Sequence, residues 1–265
     1  MKAWPSHALV YGLALVLLIV FSGPPIWSLL ESLNEGGQIG LGNYERLSGY
    51  GSGIVIHAGN SILTAVLTVA LTILLSTGAG YAFSKFEWPL KEVAFLFLLT
   101  ILMVPFQTVL IPLFVLLRTL HLDNSLVGLA AVYATFQLPF GVFVMRNAFD
   151  TVPKELEEAA RMDGAGIFNI LGIMLPIILP GIVTVGLFAF LASWNEFIGA
   201  LIFLSDADKQ TLPLTLQNAT VGNFGTVDWG VLQAGVALVM LPAATLFLLL
   251  QRYYVSGLTA GAIKG

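Results

Sequence analysis

The feature that most constrains this chain is its series of long apolar runs. Six stretches dominated by Leu, Ile, Val, Phe, Ala and Gly occupy roughly residues 8–30, 61–83, 93–117, 125–145, 177–204 and 231–251. About 20 consecutive apolar residues form a helix long enough to cross the hydrocarbon core of a bilayer. With only 10% charged residues, the chain cannot cover a water-exposed surface with polar groups. We therefore predict an all-α integral membrane protein with six transmembrane helices.

The apolar runs are continuous rather than alternating, which favours helices over the strands of a membrane barrel. No heptads, low-complexity tracts or Pro/Ser-rich linkers divide the chain, so residues 1–265 are predicted to form one membrane domain. The first run, 8–30, is long for a cleaved signal peptide, and we interpret it as a retained span.

The positions of Lys and Arg predict the orientation, because short cytoplasmic loops carry an excess of both. With both termini inside, the outer segments hold only Arg46, Arg118 and Lys209. The inner segments then hold eight cations: Lys2, Lys85, Lys91, Arg146, Lys154, Arg161, Arg252 and Lys264. We therefore expect both termini to be cytoplasmic.

Several functional classes are disfavoured by composition. The chain has no cysteine, which removes thiolate metal sites and cysteine nucleophiles, and its net charge of −4 gives no indication of nucleic-acid binding. His7, His57 and His121 fall at span ends or in outer loops, so neither a metal site nor a proton relay is predicted. No phosphate-binding G-x-x-x-x-G-K-[ST] loop is present, so the chain is not an ATPase and is not expected to be an enzyme by itself.

The longest inner segment, 146–175, carries the charged, Ala- and Gly-rich stretch EEAARMDGAG. Thr151 and Pro153 suit a helix start, and Gly164 suits an end near Asp163. A second short helix is expected from Ile167 towards the prolines that precede span five.

The predicted helix has two faces. One face combines apolar and small residues with an acid: Val152, Leu156, Ala159, Ala160 and Asp163. The other is charged: Lys154, Glu155, Glu157, Glu158 and Arg161. A face with small side chains allows close approach to a groove in another protein, but an amphipathic helix lying on the bilayer has the same pattern. The spacing leaves both interpretations open.

A resemblance adds to this reading. It is carried by EAARMDG (158–164) with Leu175-Pro176, by the flanks of that stretch within 138–166, by SWNEFIGALIFLSD (193–206), by QTLPLTL (210–216) and by QRYYVSGLTAGAIKG (251–265). In this order the segments resemble inner-membrane permease subunits of binding-protein-dependent ABC importers for sugars. The tail and the six spans are similar to the G-type rather than the larger F-type subunit of maltose permeases. The spacing between Gly164 and Leu175-Pro176 is one residue shorter than the commonest spacing in the family. One residue rotates the direction of later side chains on a helix by about 100°.

The resemblance implies that the loop between spans four and five is a coupling helix seated in a cytoplasmic ATPase. The coupling residues would be Glu158, Ala159, Ala160, Met162, Asp163, Gly164 and Ala165, and the tail would contact the ATPase through Gly261, Lys264 and Gly265. Expected partners are an F-type permease, an ATPase dimer that binds ATP and Mg²⁺, an external solute-binding protein and membrane lipid, in a bacterial or archaeal cytoplasmic membrane. The implied cargo is a carbohydrate; a non-sugar cargo such as a phosphate ester is the alternative.

Four polar or aromatic residues are pathway candidates. Glu196 is the only acid in a predicted span, and it either serves the pathway or lies near the outer interface. The resemblance places WNEF near an outer gate, where Trp194 and Asn195 would contact sugar; packing is the alternative for this motif. Gln107 lies between Pro105 and Pro112, whose kinks would open space; it either lines a pathway or bonds a neighbouring helix.

Two rival functions make different predictions. An ion-coupled secondary transporter needs several ionisable groups at mid-membrane and often inverted repeats, whereas only Glu196 is found and it is off-centre. A membrane-embedded hydrolase needs a nucleophile beside a base, and no span offers one.

Overall fold

The computed structural model describes residues 7–50, 52–220 and 227–262, and within them the fold is almost entirely helical. One short hairpin pairs β1 (Asn34–Glu35) with β2 (Gln38–Ile39). Single-turn 3₁₀ helices lie at Ile101–Met103, Phe106–Val109 and Ala207–Lys209. The α-helices are α1 (His7–Ser32), α2 (Gly42–Ser48), α3 (Ile54–Lys85), α4 (Lys91–Thr100), α5 (Leu110–Thr119), α6 (Leu126–Asp150), α7 (Lys154–Met162), α8 (Ile167–Trp194), α9 (Ile198–Phe203), α10 (Leu212–Thr220) and α11 (Trp229–Ala262). The predicted all-α membrane fold is confirmed.

Five helices in the described residues are long and apolar enough to cross a bilayer: α1, α3, α6, α8 and α11. Helices α4 and α5, with the 3₁₀ turns between them, make a sixth segment bent by 94°. The sequence predicted that span 93–117 would kink at each of its two prolines. Instead it has a single break. The break lies at Pro105, which has no N–H to donate and holds Val104 in an extended conformation. Pro112 lies in the first turn of α5, where a missing N–H is tolerated.

Helix α8 differs from the prediction at both ends. A short helix ending near Pro176 and a separate span over 177–204 were expected. Instead α8 runs unbroken from Ile167 through Pro176 and Pro180 to Trp194, and α9 is a separate helix. Membrane helices tolerate proline where neighbouring helices, hydroxyls or local adjustments satisfy the freed carbonyls, which here are those of Gly172 and Pro176, four residues before each proline.

The centre of the bundle is the contact between α3 and α6. Helix α3 presents small side chains at intervals of three or four residues, and these are buried: Ser61, Ala65, Thr68, Thr72, Ser76 and Gly80. A Cβ added at Gly80 would lie 2.5 Å from the Cβ of Met145, and one at Gly141 would lie 2.9 Å from that of Ser76. Small residues thus let the two helices approach closely, as is typical of membrane bundles.

The N-terminal end of α3 is fixed to the loop before α10. The Asn60 amide donates to the Asp208 carbonyl at 2.8 Å, and the Ser61 hydroxyl accepts from the Leu212 N–H, also at 2.8 Å. His57, expected at a span end, is buried inside α3 with its Nδ1 3.1 Å from the Gln210 carbonyl. In the described part of the chain, no three His, Asp or Glu side chains cluster as metal ligands would.

Candidate functional site

The loop between α6 and α8, predicted to face the cytoplasm, folds into the short helix α7. Pro153 precedes its first residue, Lys154. The predicted Thr151 cap is wrong, because that hydroxyl donates to the Ala148 carbonyl at the end of α6. After α7, Gly164 adopts φ +77°, and the Ala165 N–H donates to the Ala160 carbonyl at 3.0 Å. Glycine reaches this left-handed conformation without strain, so it ends the helix sharply.

One face of α7 packs on the chain's own core. Val152, Glu157 and Ala160 are buried there, and Leu156 and Ala165 are half-buried against the same cluster. The cluster also contains Tyr81, Met145, Phe149, Ile170 and Met174.

The predicted division of the α7 faces is therefore wrong at three residues. Ala159 and Asp163 are exposed instead of sharing the buried face with Ala160, and Glu157 is buried instead of exposed. Leu156 and Ala160 lie on the core side as predicted, so the centre of the buried face is rotated by about half of the 100° between successive residues.

Three groups near the C-terminal end of α3 hold this loop. The Tyr81 hydroxyl donates to Glu157 at 3.1 Å, the Lys85 ammonium donates to the Val152 carbonyl at 2.9 Å, and the Ser84 hydroxyl donates to Asp150 at 2.5 Å. The Arg161 guanidinium also donates to Glu157, at 2.7 Å. This hydrogen bond raises the pKa of Arg161, so the cation stays charged.

The opposite face of α7 is free of contacts with the core. Besides Lys154, Glu155 and Arg161, the exposed residues of α7 and of the turn after it are Glu158, Ala159, Met162, Asp163 and Gly164. Met162 is 87% exposed, and Phe168 in the first turn of α8 is 85% exposed. We call Glu158, Ala159, Met162, Asp163, Gly164 and Phe168 the docking surface. It combines acidic, small and protruding apolar groups, the chemistry expected of a surface that another protein covers. Of the seven predicted coupling residues, only Ala160 and Ala165 lie outside it.

A second candidate site lies between the two breaks in the bundle. A cavity of about 270 Å³ opens where the third membrane segment breaks and where α8 gives way to α9. Its lining is mainly apolar and aromatic, with an amide and a carboxylate: Ile101, Leu102, Val104, Phe106, Tyr133, Phe136, Gln137, Ala192 and Glu196. Irregular backbone at membrane depth is tolerated where it lines such a cavity.

Glu196 lies in the break between α8 and α9, not inside a span as predicted. Its carboxylate accepts hydrogen bonds from the N–H groups of Ile198 at 3.0 Å, Gly199 at 2.9 Å and Ala200 at 3.3 Å. The Tyr133 hydroxyl donates to the same carboxylate. The charge therefore meets the first N–H groups of α9, which stabilise an anion.

The other pathway candidates lie outside this cavity. Trp194 is buried, donates from Nε1 to the Val239 carbonyl at 2.9 Å and stacks on Phe190, so the packing alternative describes its position. Asn195 is exposed, and its amide donates to the Leu191 carbonyl at 2.9 Å. Gln107 is exposed in the 3₁₀ turn after Pro105.

Sequence reasoning missed Gln137, which lines the cavity from α6. The available signal was an amide two residues before Pro139 in an otherwise apolar run. The same logic that selected Gln107, a polar group beside a proline, applies to it.

The C-terminal tail is more regular than its composition suggested. Helix α11 continues to Ala262, so Gly261 lies in its last turn. Lys264 and Gly265 lie outside the described residues.

Comparisons with known proteins agree with this geometry. Residues 73–259 match the family described as "Binding-protein-dependent transport system inner membrane component". The sulfoquinovosyl glycerol transport system permease protein SmoH of Agrobacterium fabrum is 32% identical, over 95% of this chain and 92% of its own length. The arabinooligosaccharides transport system permease protein AraQ of Halalkalibacterium halodurans is 35% identical, over 78% of this chain and 73% of its own length. A bacterial ABC transporter that imports the acidic polysaccharide alginate contains a chain of the same fold, with a TM-score of 0.78 and 22% identity over 96% of this chain and 100% of that one.

Proposed function

Because this chain belongs to the family of binding-protein-dependent transport system inner membrane components, we propose that it carries a carbohydrate across the membrane with the energy of a partner ATPase. It is an ABC importer permease, a transport subunit. The proposal adds three partners: a second, F-type permease, a dimeric ATPase that binds ATP and Mg²⁺, and an external solute-binding protein. It also places the chain in a cytoplasmic membrane with both termini inside.

The observation that carries the ATPase coupling is the division of α7 into two faces. One face is fixed to the core of the bundle, whereas the docking surface projects Glu158, Met162 and Gly164 away from it. A partner seated on this surface can push α7 and the bundle as one body. An amphipathic helix lying on lipid would instead turn its apolar face to the bilayer and its charges to water, yet here Val152 and Ala160 are covered by protein.

The orientation is supported by where the cations lie. Lys85 bonds the loop before α7, and Arg146 bonds Glu92, next to Lys91. These three cations therefore share one end of the bundle with Lys154 and Arg161 of α7, as a cytoplasmic face requires.

The cavity and the named relatives support a carbohydrate as cargo. SmoH and AraQ are named for a sulfoquinovosyl glycerol and for arabinooligosaccharides. The aromatic faces of Phe106 and Phe136 suit the apolar side of a sugar ring, and Gln137 suits its hydroxyls. Among the described residues that line the cavity none is Lys or Arg, the side chains that proteins most often use to bind phosphate. A carbohydrate is therefore preferred over a phosphate ester as cargo.

The test begins with purification of the chain, tagged at its N-terminus, from native membranes. A second permease and an ATPase should accompany it in comparable amounts. The complex in proteoliposomes should take up a sugar only with ATP and the binding protein. A Gly164→Asp variant should lose the ATPase while keeping the second permease. Transport by the chain alone, without ATP, would favour the ion-coupled carrier instead.

A further inference from the structure

Helix α3 differs from the other membrane-length helices in one respect. Among the membrane-length helices of the described residues, α3 alone contains no proline along its 32 residues. The other membrane segments all contain proline: Pro24 and Pro25 in α1, Pro105 between α4 and α5, Pro139 in α6, Pro176 and Pro180 in α8, and Pro242 in α11. A helix with all its N–H donors present lacks the kinks that proline causes, so α3 is suited to carry a displacement from one end to the other.

The docking helix is joined to this rod through a buried polar contact. Tyr81 is 3% exposed and Glu157 is 8% exposed, and their hydrogen bond links positions 76 residues apart in sequence. A carboxylate is rarely buried without partners, because the loss of hydration is costly. Glu157 has two donors here, the Tyr81 hydroxyl and the Arg161 guanidinium. Only the first belongs to another helix.

The ring of Tyr81 is fixed by its neighbours. Phe86 and Phe149 contact it edge-on, each with ring centroids 5.4 Å away. Edge-to-face contacts of this kind hold a ring in one orientation. The hydroxyl is therefore aimed at Glu157 whether or not a partner covers α7.

We propose that Tyr81 is a positioning residue for the docking surface and acts on it through Glu157. Successive residues of an α-helix differ by about 100° in direction. With Glu157 held against α3, its neighbour Glu158 must point outward, into the docking surface. Without the hydroxyl, the Glu157 charge gains hydration by turning outward, and α7 rotates about its own axis. The same bond transmits any shift of α7 to α3. This inference rests on the proposed function, since it concerns the surface that the ATPase is proposed to cover.

The experiment compares variants of the complete importer in proteoliposomes. Tyr81→Phe removes one oxygen atom and keeps the ring contacts. A hydrogen bond to a charged group contributes enough to shift a binding equilibrium by about tenfold. We expect the apparent affinity of the ATPase for the permease to fall about threefold to tenfold, and less sugar to be transported per ATP hydrolysed. The thermal midpoint of the complex and its yield should change little.

One control isolates the contact. Tyr11→Phe removes a hydroxyl from the exposed side of α1 and should leave ATPase affinity as in the wild type. Glu157→Gln tests the link from the other side, and if Tyr81 acts through Glu157, adding Tyr81→Phe to that variant should weaken binding little further.

The possible failures are distinct. A wild-type complex that couples transport to ATP, together with an unchanged Tyr81→Phe variant or with additive single effects, would overturn this inference and leave the proposed function intact. A wild-type complex that transports without any ATPase would overturn the proposed function itself.

Discussion

The guanidinium of Arg146 donates two hydrogen bonds to the carboxylate of Glu92, at 2.6 and 3.0 Å. The pair thereby joins the last turns of α6 to the first turn of α4. The central carbon of the guanidinium, Cζ, lies 4.2 Å from the centre of the Phe95 ring. This contact fixes α4, the first half of the broken third segment. The cavity residues that follow α4, Ile101, Leu102 and Val104, are therefore attached to the helix that also leads into the docking loop.

Replacing Arg146 with Lys should loosen that attachment. Lysine keeps the charge but offers neither the planar pair of donors nor the flat cation above Phe95. We expect a lower thermal midpoint in detergent, measured by the fluorescence of the tryptophans. Lys209→Arg, at the exposed pair with Asp206, is the control and should leave the midpoint unchanged. Equal midpoints in all three proteins would show that Arg146 acts as a charge only.

Gly164 and Gly166 provide a matched pair at the docking turn. A Cβ at either would meet no atom within 4 Å, but only Gly164 has a positive φ. Gly164→Ala should cost about 1–2 kcal/mol of backbone strain, weakening ATPase binding, whereas Gly166→Ala should cause no such strain, because Gly166 has an ordinary φ of −72°. Pull-down of the ATPase at graded concentrations measures the difference. Similar binding by the two variants would argue against a left-handed turn at Gly164.

A second matched pair tests the close approach of α3 and α6. A Cβ at Gly80 would lie 2.9 Å or less from backbone and side-chain atoms of Met145 and Arg146, whereas a Cβ at Gly78 would meet nothing within 4 Å. Gly80→Ala should destabilise the bundle by about 1–3 kcal/mol. Gly78→Ala should be neutral or stabilise it by up to about 1 kcal/mol. The thermal midpoint should therefore fall in Gly80→Ala and stay the same or rise in Gly78→Ala; an equal fall in both would contradict the packing described.

Substitutions at Gln137 and Gln107 test whether the substrate pathway follows the cavity or the 3₁₀ turn that holds Gln107, which the sequence offered as a pathway residue. Gln137 lines the cavity, whereas Gln107 is exposed outside it. Losing a hydrogen bond to a neutral substrate group weakens binding by about fivefold to tenfold. Gln137→Leu should therefore lower sugar uptake at limiting binding protein by that factor, and Gln107→Leu should leave uptake near wild type. The reverse result would move the pathway from the cavity to the 3₁₀ turn.

The elements that were predicted well carry local signals. Pro153 and Gly164 bracket α7 in the sequence, and α7 occupies Lys154–Met162. Its buried side was not predicted, because that side is set by Tyr81, which is distant in sequence. Whether a given proline breaks its helix could not be predicted either, because that also depends on residues distant in sequence. Pro105 breaks its segment, but α8 continues through Pro176 and Pro180, since only the surrounding helices decide whether the freed carbonyls are satisfied.

The membrane residues show the limit of counting along a span. In the sequence Glu196 is a lone acid in an apolar run, but in the structure its partners are N–H groups of α9, which begins two residues later, and a hydroxyl from α6. Trp194 was a sugar-contact candidate by its chemistry, and its position in the core follows from contacts with α11. Neither contact produces a periodic pattern in the sequence from which it could have been predicted.

The most direct test of the central claim is a cross-link from the docking surface. The chain has no cysteine, so Met162→Cys supplies a single thiol at a site that is 87% exposed. In the purified importer, a short bifunctional reagent should join this thiol to the ATPase, and ATP should change the yield. Ile39→Cys, 92% exposed in the hairpin after α1, should give no such product. An ATPase cross-link from position 39 but not from position 162 would contradict the assignment of α7 as the docking helix.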